Sequence, residues 1–434
     1  MKNKNTLLDY FFKLNANNTT AKTEILAGIT TFLTMSYIIF INPAILSQTG
    51  MDKGAVFVAT CLAAALGSAL MGFLANYPIA LAPGMALNTY FTYSVVLGSG
   101  YHWQVALGAV FLSGLIFLFL SILPIREYLI NSIPKSLKVA IVAGIGLFLG
   151  MIGFKSAGII TGNPSTLVTL GDLHQPAALL AILGFILIVA LDALGVIASI
   201  IISILFITFL SILFGINKFE GIFSMPPSLM PTFMQMDIQA AFSLGLSTII
   251  FAFLFVDLFD NTGTLIGIAY RAGFIDKNGK LPRIGRVLLA DSIAAIASAI
   301  LGTSTTTSYL ESTVGVKVGG RTGLMAIVVS LLFLVSLFLS PLAKSIPIYA
   351  TAPALIYVAC LMAQAFKDID WEDATEYIPA VIAAITMPLT FSIADGISFG
   401  FIIYTAIKLL SGRYRDLNAA VIILTCAFII KFST

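Results

Sequence analysis

This sequence predicts an all-α polytopic membrane protein of about fourteen transmembrane spans in two halves of seven. Three observations predict it. Of 434 residues, 59% are hydrophobic and only 10% charged, where a soluble domain averages about 25% charged. Apolar runs of roughly 18 residues or more recur along the chain, the length that crosses a bilayer. Lysine and arginine gather in segments that the span count puts on one side of the membrane, where the positive-inside tendency holds them.

Spans are predicted near 25–47, 55–77, 83–98, 103–124, 136–155, 177–193, 195–214, 243–268, 286–302, 305–318, 322–343, 350–366, 374–391 and 393–411. Two of them, 83–98 and 305–318, are too short and polar to cross as ordinary helices. In NYPIALAPGMALNTYF (76–91), Pro78 and Pro83 with Gly84 prevent a continuous helix at mid-membrane depth. In GTSTTTSYLESTVG (302–315), Gly302 is the breaker, and the β-prone Thr/Ser run predicts an extended stretch before a half-helix. Non-helical backbone at that depth is tolerable only where protein or a cavity satisfies its polar groups. The half-helices behind the breaks turn free N–H groups into the protein centre, so two of them facing each other make a polar pocket. Leu417 to Phe432 is apolar but marginal in length and is expected on the membrane or tucked against it.

Charge placement orients the spans. Lys2, Lys4, Lys13 and Lys22 precede the first, which places the N-terminus in the cytoplasm of a plasma-membrane protein; no cleavable signal peptide is expected. The segment 215–242 should lie outside and holds one lysine, Lys218, and no arginine. RAGFIDKNGKLPRIGR (271–286) should lie inside and carries Arg271, Lys277, Lys280, Arg283 and Arg286. The acidic KDIDWED (367–373) objects only weakly, because the rule counts mainly Lys and Arg. An odd number of spans per half forces opposite orientations, an inverted repeat. CLAAALGSALMG (61–72) and SIAAIASAILG (292–302) align with one gap, and each runs directly into a broken span, third in its half.

Within FAFLFVDLFDNTGTLIG (251–267), Asp257 and Asp260 are three apart on a helix, and Asn261 and Thr264 continue the face of Asp257. Carboxylates inside a span cost several kcal/mol, so they face a cavity and mark a substrate or proton path; bracing the half-helices is the plainer alternative. Glu311, in a Ser/Thr setting, is a candidate on the same grounds, and Asn88 is either a binding or a helix-packing amide. His102 and His174 fall at a span edge and in an outer loop and read as surface residues, while Asp192 and Asp395 sit near span ends. Cys61, Cys360 and Cys426 all lie in apolar runs, without metal spacing, and read as free core thiols.

The net charge of +3 is too small for a nucleic-acid partner. The chain contains no G-x-x-x-x-G-K-[ST] nucleotide loop, and no cofactor or metal is expected. An intramembrane enzyme would need a nucleophile–base or metal set that two badly placed histidines cannot supply. A channel would need a continuous polar path, whereas the acids cluster at one depth. A secondary transporter remains.

APGMALNTYF, FVDLFDNTGTL, LPRIGRVLLADS and LGTSTTTSYLEST, together with ITTFLTMSYIIFINP, NPSTLVTLG and TAPALIYV, resemble the AzgA-like purine permeases. These are a branch of the nucleobase/ascorbate transporter (nucleobase:cation symporter-2) family, and the bacterial guanine/hypoxanthine permeases are the nearest in these motifs. The resemblance implies a core domain of spans one to four and eight to eleven and a gate domain of the rest. The divisions are 1–24 (cytoplasmic), 25–124 (core), 125–214 (gate), 215–242 (outer linker), 243–343 (core), 344–411 (gate) and 412–434 (C-terminal). It also implies proton-coupled uptake of a purine nucleobase by an elevator movement of core against gate, with a homodimer the candidate assembly. By position, the binding acids fall on Asp257, Asp260 and Glu311, which are also the proton-coupling candidates, with Asn88 in the third span. The chain departs from the xanthine and uracil branches, whose tenth span carries a Gln-Asn-x-Gly pattern, by having TTSYLESTVG (306–315) there. The chemistry agrees independently. A carboxylate accepts two adjacent N–H donors of guanine, backbone amides of the broken spans (positions Ala86 and Thr305) donate to the purine, and Tyr90, Phe91 or Phe259 offers a ring to stack on.

Overall fold

A computed structural model describes residues 7–122, 132–243, 247–272, 274 and 282–433; within 247–272 the described side chains are those of 249–258, 261, 264, 265 and 268. The inner loop expected at 271–286 lies largely outside these residues. The chain opens with α1 (Leu7–Phe12), α2 (Ala21–Met35), α3 (Ile38–Leu46) and α4 (Lys53–Leu70), the last extended by wide π turns over Met71–Ala75. There follow β1 (Leu81–Pro83), α5 (Met85–Thr89) with π turns to Gly98, and α6 (Trp103–Ile122). After α7 (Lys135–Ser156) come the hairpin β2 (Ile160–Asn163) and β3 (Leu167–Leu170), then α8 (Pro176–Ala193) and α9 (Ser199–Leu213). The second half holds α10 (Ile238–Ser243), α11 (Ser247–Ala272), α12 (Ile284–Leu301), β4 (Thr306–Ser308), α13 (Ser312–Val318), α14 (Gly323–Ser336) and α15 (Ser340–Ser345). It ends with α16 (Ile348–Ala363), α17 (Ala374–Thr390), α18 (Ile393–Leu410) and α19 (Ala419–Ser433).

Among the described residues, nine helices are long and apolar enough to cross a bilayer, with Ser199–Leu213, Ile249–Leu258, Ala374–Thr390 and Ala419–Ile430 as shorter apolar helices. Several starts carry the caps their sequences offer: Asp52 Oδ1 accepts from Ala55 N at 2.7 Å, Thr20 Oγ1 from Thr23 N at 3.2 Å, and Asp373 Oδ1 from Thr375 N at 2.9 Å. The apolar C-terminal stretch is a helix packed on α18, Thr405 against Thr425 and Phe401 against Phe428. The outside of the molecule carries many large apolar side chains, with Phe119, Phe209 and Leu410 among those exposed. That surface corrects one expectation: Cys61 is buried, but Cys360 and Cys426 are exposed. Where lipid is the solvent, an apolar run does not separate core from surface.

Two departures concern local backbone. The first expected span, 25–47, breaks at Ser36–Tyr37 between α2 and α3. The exposed hairpin β2–β3 stands where only a loop was expected; Asn163 Oδ1 accepts from Ser165 N (2.8 Å) and Thr166 N (3.2 Å) and turns two β-branched runs onto each other.

The two broken segments meet. β1 and β4 pair antiparallel, Leu81 opposite Ser308 and Pro83 opposite Thr306, although more than two hundred residues separate them. Outside the ladder several strand-end backbone groups have partners of their own. Gly84 N donates to Thr305 O (2.9 Å) and Tyr309 N to Ala80 O (3.0 Å). Leu81 N donates to Ser68 Oγ, which donates back to Leu81 O, both at 3.0 Å, and Ala80 N donates to Ser312 Oγ at 3.0 Å. In a medium without water such pairing is what permits extended backbone at all. Gly84 is required by closeness: a Cβ there would sit 2.8 Å from Thr307 Oγ1.

Candidate functional site

Three elements converge on the β1–β4 crossing. From α11, Asp257 (2% exposed) and the fully buried Asn261 face inward one turn apart, and Asn261 Oδ1 accepts from Ser308 N at 3.2 Å. From α5, the buried Asn88 accepts through Oδ1 from the Ser304 hydroxyl just ahead of β4. Behind β4, Glu311 stands at the start of α13, partly exposed, and its Oε1 accepts from the Tyr37 hydroxyl at 2.5 Å. The first-turn amides of α5, including that of Ala86, have no acceptor within their helix. Asp260 lies on α11 one turn beyond Asp257, but its side chain, like that of Phe259, is outside the described residues.

The structure therefore brings Asp257, Asn88, Ala86, Thr305 and Glu311 to one crossing. Among the described residues, Asn88 Nδ2, Asn261 Nδ2, Thr305 Oγ1, Thr306 Oγ1 and Ser308 Oγ are buried there without a hydrogen-bond partner in the protein. A buried donor left alone costs about 1–3 kcal/mol, so such a concentration calls for an explanation, and a polar molecule held at the crossing would supply the missing partners. Carboxylates supply acceptors, while amides, hydroxyls and first-turn N–H groups supply donors. A small, flat, heteroatom-rich ring needs both. Tyr90 and Phe91 pack on Phe253, at centroid distances of 5.0 and 6.4 Å, so their rings belong to the wall of apolar packing next to the crossing.

Several polar residues escaped the sequence reading. Asn42 Nδ2 donates to Thr60 Oγ1 (2.7 Å) and Thr303 Oγ1 (2.9 Å), pinning the approach to β4 onto α3 and α4. The buried Glu24 accepts from Arg321 N (2.8 Å) and Thr322 N (3.3 Å), a brace ahead of α14. On other elements, the buried Lys408 reaches Glu376 Oε1 (2.6 Å) and Asp416 Oδ2 (3.0 Å), and Ser136 donates to Glu376 Oε2 at 2.5 Å. They line a cleft of about 720 Å³ at the ends of α7, α17 and α18. In its lining, the Asp373 carboxyl has its pKa pulled down to about 2, first by the Thr375 hydroxyl and amide and also by Arg413. This cluster is an ion-paired tie between helices. His174 is an exposed partner of Asp172, and among the described residues no group of His, Cys, Asp and Glu could hold a metal ion.

Comparison with known proteins decides the family. The model of the Permease family, which describes the nucleobase/ascorbate transporters, matches residues 22–430. The chain belongs to that family. The permease is 49% identical to the adenine permease AdeP of Escherichia coli, over 98% of this chain and 96% of that protein. It is 46% identical to the guanine/hypoxanthine permease PbuG of Bacillus subtilis, over 97% and 98%. Among solved structures, the transmembrane domain of the cyanobacterial bicarbonate transporter BicA superposes with TM-score 0.66 at 18% identity, covering 86% of this chain and 96% of that one. At that identity the likeness establishes the fold and nothing about cargo. The permease is thus a multi-pass membrane transporter, not an enzyme.

Proposed function

We propose that the permease imports purine nucleobases, guanine and hypoxanthine first, by proton symport across the plasma membrane. The observation that carries this reading is the β1–β4 crossing, where Asp257, Glu311 and Asn88 surround a cluster of unpartnered buried donors. Glu311 and Asp257 accept the N–H edge of the purine. Asn88 and the amides at Ala86 and Thr305 donate to its carbonyl and ring nitrogens, and Asp257, Asp260 or Glu311 carries the proton. Fourteen spans in two inverted sevens, divided into core (25–124, 243–343) and gate (125–214, 344–411), carry the site by an elevator movement. Support comes from the two strand-plus-half-helix segments and from the BicA-like fold.

A second reading, adenine preference, is favoured by a specific finding: the adenine permeases AdeP and AdeQ stand at 49% and 45% identity, either side of PbuG at 46%. Chemistry separates the two. Guanine offers adjacent donors suited to a carboxylate, whereas adenine pairs a donor with an acceptor and suits the amide of Asn88. Uptake of radiolabelled guanine in cells expressing the permease, challenged with unlabelled guanine, hypoxanthine, adenine, xanthine and uracil, tests this. Displacement by guanine and hypoxanthine is expected. Saturable uptake of labelled adenine with guanine inert would establish the second reading, and absence of saturable uptake of every purine would overturn both.

A further inference from the structure

We infer that Tyr37 is the positioning residue of Glu311, a member of the binding site contributed by the break in the first span. The inference rests on the reading of Glu311 as a substrate ligand. Tyr37 is 1% exposed, and its hydroxyl donates to Glu311 Oε1 at 2.5 Å across 274 positions of sequence. It occupies the turn between α2 and α3, where the helix stops for two residues. That interruption sets the ring at the level of the α13 start.

The pairing is held by the packing around it. α13 lies against α2 so closely that a Cβ at Gly315 would meet Ala27 O at 2.7 Å and collide with Thr31 Oγ1. α14 continues the contact, because a Cβ at Gly28 would meet Met325 O at 2.8 Å. Tyr37 and Glu311 therefore belong to one packed unit and move together in any displacement of core against gate. The hydroxyl fills one of the two lone-pair directions of Oε1 and fixes the carboxylate plane. The lone-pair directions that remain are open to donors of the cargo. Without the hydroxyl the carboxylate can rotate, and a bidentate grip on adjacent N–H groups is lost more easily than transport itself.

The test is a double-mutant cycle read by uptake kinetics of labelled guanine (or labelled adenine, should that be the cargo), with Tyr37→Phe, Glu311→Gln and both together, each normalised to the amount in the membrane. Tyr37→Phe is expected to raise KM about fivefold to tenfold, the cost of holding a carboxylate that is no longer preorganised, with maximal rate near wild type and the pH profile of uptake displaced. In the Glu311→Gln background the same change should have almost no further effect. Additive penalties, or a Tyr37→Phe permease with wild-type KM and pH profile beside an impaired Glu311→Gln, would overturn the inference while leaving Glu311 in the site. A Glu311→Gln permease indistinguishable from wild type would remove Glu311 from the site and the inference with it. If Tyr37→Phe fails to reach the membrane, 3,5-difluorotyrosine at position 37 keeps the ring and alters only the donor. An unchanged KM and pH profile would then sink the inference, and a displaced profile would sustain it.

Discussion

At the scale of single residues, the site is built from groups that are expensive in lipid unless they do something. Glu311→Gln keeps the size of the side chain and one acceptor, but removes the charge and puts a donor where a purine also donates. A charged hydrogen bond is worth roughly 1.5–3 kcal/mol, so the affinity for guanine in the proposed site should fall about tenfold or more. Membrane expression should change little, since an amide is cheaper to bury than an ion; wild-type affinity and rate would make Glu311 a structural residue. Lys408 makes the opposite case. Lys408→Met leaves Glu376 and Asp416 without their cation and should lower the stability of the detergent-solubilised protein by about 1–3 kcal/mol. Its KM for the purine should stay put, because the cluster stands on other elements than the crossing; a raised KM at unchanged melting temperature would refute that separation. Asp257, Asn88 and Glu311 were legible in the sequence because a charge or amide inside an apolar run has few innocent explanations. Tyr37 was not, since a tyrosine in MSYIIF reads as apolar bulk and its partner is 274 positions away. Glu376 was passed over because it falls near the end of an expected span, where charge is ordinary, and Lys408 was read only as an inner-face cation.

Among the elements, the strand crossing is the feature on which the site depends. Ser68 takes the part of a neighbouring strand, accepting from Leu81 N and donating to Leu81 O from the last full turns of α4. Ser68→Ala removes both bonds at once and leaves two backbone groups unpaired in a buried place, about 1–3 kcal/mol for each. A lowered melting temperature together with reduced maximal uptake is expected; a variant as stable and as active as wild type would show that the crossing does not rely on this clasp. Much of this element was readable. Pro83 with Gly84, and Gly302 before the Thr/Ser run, announce a stretch followed by a half-helix, and β1–α5 and β4–α13 have that form. The pairing of β1 with β4 was beyond reach, because ladder partners so far apart in sequence leave no local pattern. The π turns over Tyr90–Gly98 were invisible for a different reason: YFTYSVVLG is apolar nearly all round, so its pattern marks no face by which one helical period could be told from another. The hairpin β2–β3 was missed because its alternation is only four residues long on each side.

For the whole molecule, the proposed mechanism commits to an energy source and an orientation. If Asp257, Asp260 or Glu311 carries the proton, uptake should rise with an inward proton gradient and collapse under a protonophore; uptake indifferent to protonophore but abolished by removing sodium would overturn proton coupling. The orientation rests on charge. The linker between the halves holds Lys218 as its one lysine and no arginine, whereas 271–286 holds five cationic side chains, so the first should face outward and the second inward. Structure tells where on the linker to look. Asn217 and Glu220 are tied to Ser345, and Thr232 and Met234 to the end of α12, but Met225 is 80% exposed. In a background with Cys360 and Cys426, both exposed, replaced by alanine, Met225→Cys should react with an impermeant maleimide added to intact cells. Asn278→Cys should react only after permeabilisation. With the N-terminus inside, an odd number of spans before position 225 gives that pattern and an even number gives its reverse, so labelling of Asn278→Cys alone from outside would refute the combination of seven spans before the linker with an inward-facing N-terminus.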